Sequence, residues 1–145
     1  MNGLVLTDKN TVFKAEAADW EEAVRIAGGL LVEQGCAKPE YVEGIVQAVR
    51  KLGSYIVIAE GIAIPHTRPE EGALAIGCAL VTLKEPVYFE GDLSPVKVLI
   101  SFSAIDSNSH IEILQMIVQF IEMALIDKIA EVDSYGEFLE LSENR

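Results

Sequence analysis

Basic side chains are scarce in this 145-residue chain: 11 lysines and arginines stand against 23 aspartates and glutamates, a formal net charge of −12. A field of that sign repels nucleic acid and anionic lipid unless a basic patch is segregated, and the sequence contains no such cluster. Cysteine and histidine are scarcer still, two of each. Cys36 and Cys78 form no CxxC and share no ligand spacing with a histidine, so there is no signal for a metal site or a disulfide framework. No apolar run approaches the roughly 20 residues of a membrane span. The nearest, from Gly72 to Leu83, is rich in small residues and runs into Lys84-Glu85-Pro86. Asp8, Lys9 and Asn10 interrupt any signal-peptide layout, which predicts a cytoplasmic protein without membrane insertion. Also missing are the GxxxxGK[ST] and GxGxxG loops that cradle nucleotide phosphates and the GxSxG nucleophile elbow.

Half of the residues are hydrophobic, and the length suits one domain with a self-sufficient core, here expected to span 1–145. The apolar pattern alternates between two periods. Ala23, Ile26, Ala27, Leu30 and Leu31 recur at helical spacing, with Asp19 and Glu22 placed as a capping box and Gly35 as the stop. Pro39 opens a second helix with Tyr41, Val42, Ile45, Val46 and Val49 on its apolar face, ending near Gly53. Strands are expected at 55–59, at 73–83 (buried on both faces) and at 96–102, with an edge strand within residues 1–15. Pro86 to Asp92 reads as a turn. A long amphipathic helix follows through Ile111, Leu114, Ile117, Val118, Ile121 and Leu125, then two short helices at 126–132 and 134–142. Strands interleaved with helices predict an α/β fold, a mixed β-sheet sandwiched between helices.

Few residues are left to carry chemistry. His66 sits in Ile64-Pro65-His66-Thr67-Arg68-Pro69, a stiff turn after a β-branched run. It is either a surface histidine in a proline-rich loop or an imidazole held for nucleophilic or proton-transfer work near neutral pH. His110 follows Ser109, with Glu112 completing a capping box, so it would be the first helical residue. That is either a good cap with a histidine beside it or an anion site at a helix N-terminus. Arg50, near the end of the second helix, is either a cation favoured by the helix dipole or a planar fork for phosphate. Arg68 is either a phosphate ligand or the ion-pair partner of Glu70 or Glu71. Two imidazoles, an arginine and a helix N-terminus would make a phosphate site if the fold brings them together.

The stretch from Gly61 to Gly72 (Gly-Ile-Ala-Ile-Pro-His-Thr-Arg-Pro-Glu-Glu-Gly) resembles the phosphorylation-site segment of type-2 IIA domains of the bacterial phosphoenolpyruvate-dependent sugar phosphotransferase system (PTS). Ser109-His110-Ile111-Glu112 resembles the segment that carries the second active-site histidine of that family. Arg50, sixteen residues before His66, stands where the family has its active-site arginine. His66-Thr67-Arg68-Pro69 and Lys51-Leu52-Gly53-Ser54-Tyr55-Ile56-Val57 are most similar to the ascorbate-type branch.

The resemblance implies a PTS IIA fold and a phosphohistidine carrier that needs no cofactor or metal. His66 would accept a phosphoryl group from the phosphocarrier HPr through Nε2 and pass it to a cysteine of the cognate IIB, which serves the membrane component IIC. His110 would donate a hydrogen bond to the phosphoryl group, Arg50 would pair with its oxygens, and Thr67 would add a hydroxyl or backbone donor. Ile62 and Ile64 are candidates for an apolar docking patch or for the core. A regulatory domain of the same fold, signalling by its phosphorylation state, and a small-molecule binding domain with structural histidines are the competing readings. The sequence leaves open the carbohydrate and the oligomeric state, a homodimer included.

Overall fold

The computed structural model describes residues 6–89, 94–122 and 125–143. Five strands form one mixed sheet: β1 (Thr11–Ala15), β2 (Val57–Ala59), β3 (Ile62–Ala63), β4 (Gly77–Val87) and β5 (Val96–Ser103). Their order across the sheet is β1-β4-β5-β3-β2. β4 and β5 pair antiparallel at its centre, β1 joins β4 in parallel, β3 joins β5 in parallel, and β2 closes the far edge against β3.

Both faces are covered, and strand alternation divides the core accordingly. Ala79, Val81, Leu83 and Leu99 pack with α1 (Trp20–Glu33) and α2 (Pro39–Leu52). Cys78, Leu80, Val98, Ile100 and Phe102 pack with α3 (Ser107–Glu122), α4 (Ile126–Glu131) and α5 (Tyr135–Glu143). The expected mixed sheet between helices is the architecture found. Among the described residues, no helix is long and apolar enough to cross a membrane.

Local signals act where the sequence places them. The Asp19 carboxylate accepts from the Glu22 N–H at 2.9 Å, capping α1. Glu22 reaches back to the Ala18 N–H, one residue before the partner a capping box would use. Gly35 takes φ +75° just past the helix end, a conformation that costs a residue with a Cβ about 1 kcal/mol or more. Pro39 starts α2, where a missing N–H costs nothing. The Ser134 hydroxyl accepts from the Glu137 N–H, opening α5.

Three expectations need correction. Residues 73–76 lie outside the central strand, whose pairing with β5 begins at Gly77↔Ser103, and β4 runs on through Pro86 to Val87 across a register shift. The strand expected at 55–59 is shorter, β2 at Val57–Ala59, and the unexpected two-residue β3 intervenes before His66, locked to β5 through Ile62↔Val98 and Ala63↔Leu99. α3 begins at Ser107, so His110 is its fourth residue rather than its first, and its N–H already donates to the Asp106 carbonyl. Of the two readings of Ile62 and Ile64, the core is the one found: both are buried in the cluster with α3 and α4. The expected turn at Pro86–Asp92 and the first residues of the lead-in fall partly outside the described residues.

Candidate functional site

His66 is carried to the sheet's rim by β3. Past that strand the pairing with β5 continues irregularly, the Phe102 N–H donating to the Pro65 carbonyl at 3.1 Å. The imidazole therefore emerges over Phe102, the penultimate residue of β5, and stacks on its ring with centroids 4.5 Å apart and planes 17° from parallel. His110 approaches both rings edge-on, 5.9 Å from His66 and 5.5 Å from Phe102. The Tyr55 ring also flanks His66, tilted 60° to it with centroids 5.9 Å apart.

One contact sets the tautomer. His66 Nδ1 lies 2.6 Å from the Ile64 carbonyl oxygen. A carbonyl can only accept, so Nδ1 carries the proton and Nε2 keeps its lone pair. Burial disfavours the charged ring and pushes the His66 pKa below its ordinary 6.5; the Ile64 hydrogen bond opposes this, and His110 adds to the lowering. At neutral pH the residue is a neutral imidazole with an in-plane nucleophile at Nε2.

The backbone on both sides of the ring is braced by tyrosines. The Tyr55 hydroxyl donates to the His66 carbonyl at 2.7 Å. Tyr41, fully buried in α2, directs its hydroxyl at the Phe102 carbonyl at 2.9 Å and the Thr67 carbonyl at 3.1 Å, and accepts from the Thr67 N–H at 3.2 Å. Burial pushes its pKa up to about 12, so it stays a phenol. The Thr67 N–H is thus committed to Tyr41, which leaves the hydroxyl as the donor that Thr67 can offer. α2 approaches this turn closely at Gly44, where an added Cβ would lie 3.3 Å from Thr67 Cγ2 and 2.9 Å from Glu71 Oε1.

His66, His110 and Thr67 share one open cleft of about 720 Å³, which also takes in Gln47, Lys51, Tyr55 and Arg68. Arg50 is not among its walls. The Arg50 guanidinium pairs with Glu21 on α1. The physical reason is helical phase: Arg50 and Lys51 are about 100° apart around α2, and the Arg50 side meets α1. Arg68 lines the cleft and pairs with Glu71 at 3.6 Å, the ion-pair reading of it. Ser101 and Ser103 direct their hydroxyls to the Ala27 and Ala75 carbonyls, each at 2.7 Å, and serve the packing of the sheet. Both cysteines are thiols, and burial raises the pKa of each, that of Cys78 to about 12.

Sequence reasoning missed Phe102, Tyr41 and Tyr55. Tyr41 had left a trace, since a tyrosine on a buried helix face must find a partner for its hydroxyl.

Residues 4–144 match the family described as "Phosphoenolpyruvate-dependent sugar phosphotransferase system, EIIA 2". The chain belongs to this family. PTS EIIA components are phosphotransferases, carrying a phosphoryl group within the phosphoenolpyruvate-dependent sugar phosphotransferase system. Among curated relatives, the ascorbate-specific PTS system EIIA component of Salmonella choleraesuis (strain SC-B67) is 41% identical over 140 residues, 94% of this chain and 91% of the relative. Among solved structures, the PTS IIA protein PtxA from Streptococcus mutans superposes with a TM-score of 0.86 at 33% identity, covering 94% of this chain and 88% of that one. The complex of enzyme IIAMtl with phosphorylated enzyme IIBMtl from Escherichia coli matches with a TM-score of 0.81 at 28% identity, over 97% and 100% of the two chains. For this EIIA protein, the cleft around the stacked imidazole is the candidate phosphotransfer site.

Proposed function

We propose that this EIIA protein, acting in the cytoplasm as one IIA unit, accepts a phosphoryl group from phospho-HPr on His66 Nε2 and passes it to a cysteine of a cognate IIB for carbohydrate uptake. The observation that carries the reading is the Nδ1–Ile64 contact, which leaves Nε2 as the nucleophile. In the first step the Nε2 lone pair forms a bond to phosphorus while the N–P bond of the donor phosphohistidine breaks, its electron pair returning to the donor imidazole. In the second, that new N–P bond breaks as a cysteine thiolate of IIB forms the S–P bond. The transition state is loose, with charge on three equatorial oxygens, so the protein's task is alignment and donor placement.

His110, edge-on to His66, is the hydrogen-bond donor to the phosphoryl oxygens, and the Thr67 hydroxyl is a second. Neutrality of His66 before attack comes from burial, and the Phe102 stack and Tyr55 brace restrict the ring to the approach direction. Leu52, Tyr55, Ile105 and Ile111 expose apolar surface on the segments around the two histidines, suited to transient docking of HPr and IIB in turn. An ascorbate-type system is supported by the names of the curated relatives. The IIB partner is supported by the Escherichia coli complex of a IIA with its phosphorylated IIB.

The test is transfer from labelled phosphoenolpyruvate through enzyme I and HPr onto wild-type protein and His66→Ala. Acid-labile label on wild type and none on the variant is the expected result. Equal label on both would remove His66 from the reaction.

A further inference from the structure

Glycine disfavours a helix interior relative to alanine, yet Gly44 stands well inside the 14-residue α2. Its backbone gives no reason for the choice, because the glycines at positive φ are Gly35, Gly53, Gly61 and Gly72. We propose that Gly44 is a positioning residue for phosphoryl transfer: the side chain it lacks lets α2 seat the turn after His66, and so sets where the Thr67 hydroxyl stands in the cleft. This rests on His66 being the acceptor.

A Cβ at position 44 would lie 3.3 Å from Thr67 Cγ2, 3.2 Å from Glu71 Cβ and 2.9 Å from Glu71 Oε1. The carboxylate can swing aside, since it is the far end of a flexible side chain. The other two atoms stand close to the backbone. They move only if Thr67 rotates about χ1 or the turn itself backs away from α2.

The turn is held against backing away. The Tyr41 hydroxyl, one helical turn before Gly44 on α2, accepts from the Thr67 N–H at 3.2 Å and lies 3.1 Å from the Thr67 carbonyl oxygen. At the far end of the segment, the Lys38 N–H donates to the Gly72 carbonyl at 2.9 Å. Residues 67–72 are thus tied at both ends to α2 and its N-cap. What yields is χ1 of Thr67, a stiff β-branched torsion whose rotation carries Oγ1 along with the methyl. A methyl at 44 therefore re-aims the hydroxyl that shares the cleft with His66. Alignment is what this reaction asks of the protein, so a small displacement of a donor is felt in the rate. Gly29 provides the contrast: it lies within α1, and an added Cβ there would meet nothing within 4 Å.

The experiment measures label transfer over a range of phospho-HPr concentrations onto wild type, Gly44→Ala, Gly29→Ala, Thr67→Ser and the Gly44→Ala/Thr67→Ser pair, with thermal melts alongside. Gly44→Ala is expected to lower the limiting rate about tenfold. The HPr concentration giving half that rate should change by less than about twofold, which separates alignment from docking. Gly29→Ala should melt higher and keep the wild-type rate. Thr67→Ser keeps the hydroxyl and deletes Cγ2, so in that background the change at 44 should cost less than about threefold. A wild-type limiting rate in Gly44→Ala would overturn the proposal, as would an equal slowing in Gly29→Ala. A loss confined to the half-maximal concentration would overturn it by showing that the methyl blocks docking. An equal loss in both backgrounds would remove Thr67 as the intermediary, and unfolding of Gly44→Ala, alone or paired, would assign the glycine to the fold; either result overturns it. Absence of label on wild type would overturn the His66 reading and this one together, whereas labelled wild type with an unimpaired Gly44→Ala overturns this one alone.

Discussion

The imidazole of His66 lies flat on the ring of Phe102, 4.5 Å between centroids and 17° from parallel. The stacking joins the turn after β3 to a central strand of the sheet. It gives an otherwise loop-borne histidine a rigid floor, and the orientation of Nε2 follows from where β5 ends.

Phe102→Leu keeps an apolar residue at that position but removes the flat surface. Stability should fall by about 1–2 kcal/mol from lost volume and stacking, read as a lower urea midpoint. The initial rate of phosphoryl acceptance should fall further than stability alone explains, because the folded fraction stays near one while the ring loses its alignment. An unchanged rate in a folded variant would show that the floor is only packing.

Tyr41→Phe deletes one oxygen and leaves the Phe102 and Thr67 backbone groups without that partner. Leaving buried polar groups unsatisfied costs about 1–3 kcal/mol. Denaturant titration should register that loss, accompanied by slower transfer, since the turn after His66 loses its tie to α2.

The lowered pKa of His66 fixes the sign of a pH effect. The unfolded histidine titrates near 6.5 and the folded one below it, so in that window the unfolded chain binds more protons. Stability contributed by this group is therefore fully present above pH 6.5 and is lost as pH falls through the window. Two results should follow. Imidazole resonances of His66 should titrate below those of a free histidine. The His66→Gln variant should lose less stability than wild type between pH 7 and pH 5.5. A titration midpoint at or above 6.5 would contradict the buried, neutral nucleophile.

Gly77 and Cys36 make a packing pair away from the cleft. A Cβ at position 77 would lie 2.5 Å from Cys36 Sγ and 2.9 Å from its Cβ. Gly77→Ala should destabilise by about 1–3 kcal/mol through overpacking. Adding Cys36→Ala should recover part of it, a coupling visible in a double-mutant cycle of melting curves. Strict additivity would place the strain elsewhere.

Much of this protein was legible before any coordinates. The Asp19 cap, the Gly35 stop and the proline start of α2 are local chemistry, settled within one helical turn, and they fixed α1 and α2 to within a residue or two. The two-sided apolar strand, expected at 73–83 and found from Gly77, and the α/β layering follow from apolar patterning in the same way. His66 and His110 stood out by rarity and by their flanking residues.

Tertiary structure decided the rest. A strand of two residues, β3, has no period of its own and exists because β5 offers it a parallel edge. Arg50 and Lys51 are adjacent in sequence, and only the packing of α2 against α1 turns one to Glu21 and leaves the other along the cleft. The tautomer of His66 depends on the Ile64 carbonyl, two residues back and 2.6 Å from Nδ1. Sequence determined which chemical groups were present and which local elements would carry them. Which of those groups meet is set by long-range burial, a property that no short window of sequence contains.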